Sequence, residues 1–295
     1  MLSILIPVFN YDVRQLVHEL RRQAGSFSAE WEILCFDDGS EQSWKAKNRQ
    51  LDALPGVRYR ELPENLGRSR IRNLLADEAR GAYLLFLDCD SEVPDGSYLQ
   101  RYAAQLHPGT LLYGGRAYQP SPPEEAALCF HWLYGSRREA QPASVREVQP
   151  YQSFMTNNFL IPRAIFQQIR FDERLLQYGH EDTLFGLELK KTGVRILHLD
   201  NPLVHAGLEP VDVFLAKTRQ GIQNLAFLYR SGSEADTRLL RFYRRLRRWV
   251  GLGLLRHALR FCRPAMARQL HSSHPSLLLF DLYKFSLLLD ELKEE

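Results

Sequence analysis

The sequence predicts an α/β protein with a mostly parallel sheet flanked by helices and a helical extension at its C-terminal end. Short apolar runs, typical of strands buried on both faces, alternate with segments of helical spacing. Acidic residues directly follow two of these runs, and the chain after residue 237 has the spacing of helices. A composition of 45% hydrophobic and 25% charged residues excludes a disordered or fibrous chain.

The first half of the chain alternates predicted strands and helices. Strands are expected at residues 2–9, 32–38, 57–62 and 82–87, with helices at 13–20 and 69–79. The first strand is interrupted only by Ser3 and Pro7, which is typical of a strand covered on both sides. Strands that alternate with helices favour a parallel sheet.

The second half is less regular. Strands are expected at 110–118, 154–161 and 194–199, and helices at 124–138, 182–191 and 211–229. The polar stretch 141–150 is expected to be a loop, and the linker-like residues 231–237 precede two further helices, 239–261 and 277–292. We therefore expect one domain over residues 1–230 and a basic helical extension over residues 231–295.

The net charge of +3 conceals an uneven distribution. The stretch between Arg238 and Arg268 contains ten arginines and no aspartate or glutamate. The 38 basic residues less these ten leave 28, against 35 acidic residues, in the rest of the chain. The sequence thus indicates an acidic body with a basic C-terminal segment, and net charge alone gives no reason to expect a nucleic-acid partner.

The cysteines and the N-terminal residues suggest where the protein works. Four scattered cysteines with no CxxC pair exclude a disulfide framework and a cysteine zinc site, and they fit a reducing compartment. The first residues lack the basic region and cleavage site of a signal peptide. No run approaches the ~18 apolar residues of a membrane span. We expect a cytoplasmic protein, peripheral on the inner leaflet of the cell membrane if the basic segment binds lipid.

Acidic residues lie where an open α/β sheet binds ligands, at the carboxyl ends of its strands. Asp37 and Asp38 follow the second predicted strand, and Asp88 and Asp90 follow the fourth. Two carboxylates as close as those of Asp88 and Asp90 repel each other unless a cation neutralises them. Carboxylates of this kind suit Mg²⁺ or Mn²⁺, which usually also contacts substrate phosphates. A solvated loop is the alternative for Asp88 and Asp90, and capping of the following helix is the alternative for Asp37 and Asp38.

Further along the chain, short motifs follow one another in an order that resembles a known family. The motifs are Ile6-Pro-Val-Phe-Asn10, Asp37-Asp-Gly-Ser40, Asn65-x-Gly67 leading to Arg72-Asn73, Asp88-Cys-Asp90, Gly179-His-Glu181-Asp182, and His205 in His-Ala-Gly. Together they resemble the family 2 glycosyltransferases, over about Leu2 to Leu208. The resemblance implies the GT-A fold, a Rossmann-like sheet flanked by helices.

The resemblance also implies a site for a nucleotide-sugar. Its expected residues are Pro7, Phe9, Asp37, Asp38, Gly67, Arg72, Asp88 and Cys89. Within this set Asp38 would hydrogen-bond the uracil edge, Asp37 would support the turn, and Asp88 would face the ribose. Asn157 and Asn158 either contact the donor sugar or satisfy backbone groups, and Arg116 is a further candidate to flank the donor.

The metal and catalytic groups implied by the resemblance lie further along the chain. Asp90 is expected to bind Mn²⁺ or Mg²⁺, with His205 as a late metal ligand. Asp182 matches the catalytic base, and Glu181 beside it would contact the acceptor or orient the site. Transfer with inversion needs one base for the acceptor hydroxyl and a cation for the leaving diphosphate. One acidic residue at the acceptor and another at the metal therefore fit this chemistry.

These expectations define a function. The sequence predicts an inverting, metal-dependent glycosyltransferase that moves a hexosyl or N-acetylhexosaminyl group from a nucleotide-diphospho-sugar, expected to be UDP-linked, to a saccharide or lipid-linked saccharide, as in polysaccharide or glycan biosynthesis. One alternative is a polyprenyl-phosphate glycosyltransferase, whose phosphate acceptor needs little help from a base. A second alternative is an inactive scaffold that binds nucleotide-sugars.

The basic segment admits two interpretations. Over the helix expected at 239–261, one face carries Leu239, Phe242, Leu246, Trp249 and Val250, and the other carries Arg241, Arg244, Arg245 and Arg248. A basic amphipathic helix is typical of attachment to an anionic membrane surface. The alternative is a helix packed on the catalytic domain with a solvated arginine face. Nucleic acid is not expected as a partner, since no recognised binding motif accompanies the charge.

Overall fold

The computed structural model describes residues 1–26, 29–174, 179–248 and 251–292. Its internal contacts divide the chain into two compact units. The first, named the sheet unit, comprises residues 1–119, 139–176 and 181–207. The second, named the helical unit, comprises residues 120–138, 177–180 and 208–295.

The strands all belong to the sheet unit. They are β1 (Leu2–Val8), β2 (Trp31–Asp37), β3 (Val57–Glu61), β4 (Tyr83–Leu87), β5 (Ser91–Glu92), β6 (Thr110–Tyr113), β7 (Arg116–Ala117), β8 (Asn158–Pro162), β9 (Arg195–His198) and β10 (Leu203–His205). Seven of them form the main sheet, in the order β3-β2-β1-β4-β8-β6-β9. The other three form a small sheet in the order β5-β10-β7.

The helices are shared between the units. They are α1 (Arg14–Ala24), α2 (Gln42–Asn48), α3 (Arg68–Glu78), α4 (Tyr98–Ala103), α5 (Cys129–Tyr134), α6 (Ala143–Arg146), α7 (Arg163–Gln168), α8 (Glu181–Lys191), α9 (Val211–Arg230), α10 (Arg238–Leu246), α11 (Leu252–Leu270) and α12 (Leu277–Glu291). Helices α5 and α9 to α12 belong to the helical unit, and the others to the sheet unit.

Both faces of the main sheet are buried, as the continuous apolar strands predict. On one face Ile4 and Ile6 of β1 pack in a core with α1. On the other face Leu5 packs in a core that includes Ile71 and Leu75 of α3. Strand β1 pairs in parallel with both β2 and β4, whereas β8 is antiparallel to β4. The predicted α/β class with a mostly parallel sheet is confirmed, and the carboxyl ends of β1, β2 and β4 lie at one edge.

Several predicted elements are divided in the structure. The strand expected at 110–118 is β6 and β7, and the helix expected at 124–138 is a 3₁₀ turn, α5 and a π-helical turn over Gly135–Glu139. The helix expected at 239–261 is two helices, α10 and α11. Gly251 directly precedes α11, and glycine is a weak helix former, which accounts for the interruption. Trp249 and Val250, which the sequence assigns to this helix, lie outside the described residues.

The helical unit has an apolar core of its own. Phe130 of α5, Leu225 of α9, Leu240 of α10, Met266 of α11 and Phe280 of α12 are buried in one cluster. The contacts therefore group α9 with the C-terminal helices, whereas the sequence places its boundary after α9, at residue 230. That boundary stays a prediction about domains. None of the helices in the described residues has the length and apolarity of a membrane-spanning helix.

The stretch 141–150, expected to be a loop, contains α6 and a buried arginine. The guanidinium of Arg146 donates to the backbone oxygens of Tyr113, Gly114, Gln141 and Leu199 at 2.8–3.3 Å. Arg146 is only 4% exposed. The Tyr113 and Gly114 oxygens also accept the backbone amides of Leu199 and Asn201, so Arg146 adds a second hydrogen bond to each of them.

We expect Arg146→Ala to lower the free energy of unfolding by about 3 kcal/mol, because four backbone oxygens each lose a hydrogen bond from its guanidinium. Urea unfolding of the sheet unit within the full chain measures the loss. Arg174→Ala is the matched control, since the Arg174 side chain is 85% exposed and should cost little. Equal stability of the two variants would contradict the structural role of Arg146.

Candidate active site

The turn after β2 is held by its two aspartates. Asp37 accepts the backbone amide of Ser40 at 2.8 Å and the Tyr59 hydroxyl at 3.1 Å. Asp38 accepts the backbone amides of Leu66 and Gly67 at 2.7 and 3.1 Å. Burial raises the pKa of Asp38, and its two amide bonds oppose that shift. The two carboxylates thus fix the turn and join it to the loop that precedes α3.

A close approach of two backbone segments makes this junction tight. Gly39 has a φ of +76°, and a Cβ added there would lie 2.7 Å from the Asn65 amide nitrogen. The loop after β1 is joined as well, because the Asn10 amide donates to the Ser40 hydroxyl oxygen at 2.8 Å. Pro7 lies near the end of β1, and the ring of Phe9 beyond it is 50% exposed. The β1 and β2 ends therefore form one rigid edge with an exposed aromatic ring.

Asp88, directly after β4, is surrounded by arginines. Its Oδ1 accepts Nη2 of Arg72 at 2.7 Å, and its Oδ2 accepts Nη2 of Arg116 at 3.1 Å. Nη2 of Arg68 lies 3.7 Å from the same Oδ2. Arg72 is only 1% exposed, so its charge requires this carboxylate. The sequence expects Asp88 to face a ribose, and the structure shows that both of its oxygens also hold guanidinium groups.

The charged cluster continues from Asp88 through Arg116, in β7 of the small sheet, to Glu139. Nη1 of Arg116 lies 3.2 Å from a Glu139 carboxylate oxygen, which also accepts the Tyr118 hydroxyl at 2.5 Å. Burial lowers the pKa of Arg116, but the charges of Glu139 and its neighbours outweigh it and raise the pKa well above the ordinary value. The Tyr118 ring contacts the His205 ring edge to face, with centroids 5.5 Å apart.

Asp90 and His205 come together through pairing of β5 with β10. His205 is opposite Ser91 in the antiparallel register, and its Nδ1 lies 3.5 Å from Oδ1 of Asp90. A Cβ added at Gly207 would lie 2.5 Å from the other Asp90 oxygen, so the glycine makes room for the carboxylate. Burial raises the pKa of Asp90, but His205 and the charges of Arg116 and Arg68 outweigh it, and the net pKa is lowered.

This pair fits a divalent cation in part. Oδ1 of Asp90 is buried and accepts no hydrogen bond from the described residues, as expected of a group that has a further ligand to bind. A carboxylate oxygen and an imidazole nitrogen both suit Mn²⁺. No group of three or more His, Cys, Asp or Glu side chains suited to a metal occurs in the described part of the chain. Asp90 and His205 would therefore hold a cation only together with oxygens from a substrate or water.

Cys89 lies between the two aspartates and contributes no charge. Burial, together with the charge of Asp90, raises the pKa of its thiol to about 12. The neighbouring Tyr11 has its pKa raised to about 12 for the same two reasons. Both groups stay protonated near neutral pH, so the negative charge at this edge belongs to the carboxylates.

The candidate base begins α8. Burial, and then the charge of Glu181, raise the pKa of Asp182 to about 6, and Oδ1 of Asp182 accepts the Thr183 amide at 2.7 Å. Glu181 forms an ion pair with Nε of Arg68 at 3.0 Å. Since Arg68 also lies 3.7 Å from Asp88, one arginine joins the β4 end to the start of α8.

Sequence reasoning missed two residues of this arrangement and left others undecided. Arg68 and Glu139 stand in no motif, and no local pattern distinguishes them from surface charges. Asn158 accepts the hydroxyls of Tyr98 and Tyr102 at 2.6 and 2.7 Å. It also donates to two backbone oxygens at 2.9 Å, which supports the structural alternative for this asparagine.

Comparisons with known proteins agree with this architecture. The profile of glycosyl transferase family 2 matches residues 3–169. No curated protein sequence matches the chain.

Three solved structures share the fold at low identity. S. aureus TarS 1–349 is 17% identical with a TM-score of 0.53, over 99% of this chain and 88% of that one. Mannosyltransferase PcManGT from Pyrobaculum calidifontis, in complex with GDP-Man and Mn²⁺, is 14% identical with a TM-score of 0.56, over 99% and 85%. Glucosyl-3-phosphoglycerate synthase from Mycobacterium tuberculosis, in complex with Mn²⁺, UDP and phosphoglyceric acid, is 16% identical with a TM-score of 0.52, over 79% of each chain.

The fold is therefore the GT-A fold of glycosyltransferases. The chain belongs to glycosyl transferase family 2, since the family profile covers more than half of it.

We expect Asp88→Ala to lower the free energy of unfolding by about 3–5 kcal/mol, because buried Arg72 loses its counter-charge. Asp90→Ala is the matched comparison, since it leaves Arg72 and Arg116 with a carboxylate and should cost much less. Urea unfolding of both variants measures the difference. If Asp88→Ala proves no more costly than Asp90→Ala, the arginine cluster does not stabilise the fold through Asp88.

Proposed function

We propose that this family member is an inverting, metal-dependent glycosyltransferase that transfers a sugar from a nucleotide-diphospho-sugar to a hydroxyl group of a saccharide or lipid-linked saccharide. One observation carries the proposal. Two partly buried aspartates of the same site have their pKa values shifted in opposite directions, down for Asp90 and up for Asp182. Such a division separates a permanently charged ligand from a group that exchanges a proton near neutral pH.

The donor binds at the edge formed by the ends of β1, β2 and β4. The exposed ring of Phe9 offers a surface on which a nucleobase can stack. Asp38 and Gly67 hold the adjoining loop, and Asp38 retains lone pairs for the base edge. Asp88 and Arg72 contact the ribose and diphosphate of the donor, and the arginine cluster offsets the negative charge of the diphosphate.

Asp90 and His205 would hold the cation. Mn²⁺ or Mg²⁺ bound there would neutralise the negative charge that develops on the leaving diphosphate. The supporting observations are the buried Asp90 oxygen and the neighbouring imidazole, 3.5 Å apart. Two of the similar structures contain Mn²⁺.

The reaction at the acceptor side runs through Asp182. Asp182 accepts the proton of the acceptor hydroxyl as its oxygen attacks C1 of the sugar from the side opposite the diphosphate. The new bond joins C1 to the acceptor oxygen, and the C1–oxygen bond to the diphosphate breaks with its electron pair on the diphosphate. Glu181, held by Arg68, orients the acceptor.

A UDP-linked hexose or N-acetylhexosamine is the donor that we propose. TarS 1–349 has been solved with UDP and with UDP-GlcNAc, and the synthase with UDP, whereas PcManGT carries GDP-Man. A polyprenyl-phosphate acceptor is disfavoured, because a phosphate acceptor has no need of the base at Asp182. Attachment to an anionic membrane surface through Arg238 to Arg268, on the cytoplasmic side, belongs to this proposal, since a lipid-linked acceptor would be met there.

We expect Asp90→Ala to abolish the Mn²⁺-dependent part of UDP binding while the fold stays intact, because a cation ligand is lost. Isothermal titration of UDP with and without Mn²⁺ measures it. Asp95→Ala, which removes an exposed aspartate paired with Arg101, is the control and should bind as the unaltered chain does. Undiminished Mn²⁺-dependent binding in Asp90→Ala would remove Asp90 from the metal site.

We expect Asp182→Asn to slow transfer by roughly 10²-fold or more with little change in UDP affinity, because the base is lost. In the unaltered chain the rate should rise with pH through about 6, since Asp182 is a base only when ionised. Arg68→Gln removes a charge that lowers this pKa, so the rise should move to higher pH. Glu188→Gln, on the exposed side of α8, is the control. A collapse of UDP binding in Asp182→Asn would place the base elsewhere.

A further inference from the structure

Helix α11 has an apolar face that the helical unit does not use. Leu254 and Phe261 are 80% and 88% exposed, the highest values among the large apolar side chains that the structure describes in this unit. Ala258 and Ala265 are exposed at the intervening helical positions. The spacing of these residues, at intervals of three or four, puts them in one stripe. This stripe is named the outer face of α11.

The opposite side of α11 fixes this orientation. Met266 and Leu270 are buried in the core of the helical unit. Arg256 and Arg263 form ion pairs with Asp290 of α12, at 3.3 and 2.6 Å. Because a packed face and two ion pairs hold α11 against α12, the outer face stays toward solvent.

Basic residues flank the outer face without acidic partners. Arg260 and Arg268 are exposed, and neither forms an ion pair with any described residue. The sequence between Arg238 and Arg268 contains no acidic residue. By contrast, Arg241 and Arg244 of α10, which the sequence assigns to a free arginine face, both form ion pairs with Asp236. Two of the four arginines of the predicted face are therefore engaged within the unit, whereas Arg245 and Arg248 of that face are exposed, as Arg260 and Arg268 of α11 are.

We propose that the outer face of α11 binds the headgroup region of an anionic membrane, with Phe261 and Leu254 inserted and Arg260 and Arg268 on lipid phosphates. The inference rests on the proposed function, in which the acceptor is met at such a surface. A soluble polyanion would satisfy the arginines but offers no apolar phase for an exposed phenylalanine. A membrane interface accepts both groups at once.

The experiment is co-sedimentation of the full chain with vesicles of phosphatidylcholine, alone or mixed with phosphatidylglycerol. We expect binding to the anionic vesicles and much weaker binding to the neutral ones. Leu254→Ser with Phe261→Ser should weaken binding by about tenfold or more. Arg260→Gln with Arg268→Gln should weaken it by about 25-fold, at about fivefold for each arginine. Salt should suppress the arginine contribution, because the Debye length falls from ~10 Å at 0.1 M to ~3 Å at 1 M.

Matched controls come from exposed residues elsewhere in the chain. Phe227→Ser removes a half-exposed phenylalanine of α9, and Arg195→Gln with Arg219→Gln removes two exposed charges. Both controls should bind as the unaltered chain does. Equal loss in controls and test variants, or no preference for anionic vesicles, would overturn the proposal. A further outcome would also overturn the proposal. If the unaltered chain is a dimer, and Leu254→Ser with Phe261→Ser is a monomer that still binds vesicles, the outer face of α11 contacts a second copy of the chain.

A second measurement leaves the outer face of α11 unaltered, so its result does not depend on how well the variants fold. Cys262 is exposed beside Phe261, whereas Cys35 is buried and Cys89 is only partly exposed. A polarity-sensitive dye on Cys262 in a Cys129→Ser background should shift to the blue on anionic vesicles. An unshifted dye on sedimented protein would place the contact elsewhere. UDP affinity should be the same in every variant as in the unaltered chain. If the unaltered chain does not bind UDP but still binds anionic vesicles, the result contradicts the proposed function and leaves the membrane proposal standing.

Discussion

The buried ion pair between Arg72 and Asp88 is the constraint on which the candidate site depends. A guanidinium that is 1% exposed has lost its water and needs a carboxylate with good hydrogen-bond geometry, which Asp88 provides at 2.7 Å. Because Arg72 belongs to α3 and Asp88 follows β4, the pair fixes where the helix meets the strand end. Arg116 binds the other oxygen of Asp88 and extends the constraint to β7. The β4 end is therefore held before any ligand arrives.

Two carboxylates of the candidate site, Asp90 and Asp182, have pKa values shifted in opposite directions. Asp90, two residues beyond Asp88, lies near His205 and the cluster arginines, which keep it ionised despite burial. Asp182, at the start of α8, lies partly buried beside Glu181, and lost hydration together with repulsion by Glu181 raises its pKa and favours its protonated form. Arg68 touches both regions through Asp88 and Glu181. Arg68 lowers the pKa of both Asp90 and Asp182, but at Asp182 burial and the charge of Glu181 outweigh it.

In the helical unit, ion pairs connect helices to one another. Its core is apolar, and its charges serve mainly to fasten helices to one another, as Asp290 does for two arginines of α11. An arginine used in this way is not available to a partner. Sequence composition counts ten arginines in this segment without distinguishing the paired from the exposed ones. The structure shows that Arg256 and Arg263 are engaged within the unit, whereas Arg260, Arg268 and Phe261 are exposed.

The sequence by itself determined the strands of the main sheet, the mostly parallel class and the order of the motifs, because apolar runs and turn residues act locally. It also placed Asp37, Asp38, Asp88 and Asp90 at strand ends, since position after a buried strand is visible in one dimension. It did not predict the small sheet of β5, β7 and β10. Only the tertiary structure decided that Glu139 and Arg68 join this cluster, that Arg146 is buried, and that α10 and α11 are separate helices. Those outcomes depend on contacts between residues far apart in the chain, and an arginine in a buried ion pair has the same local sequence signature as one in water.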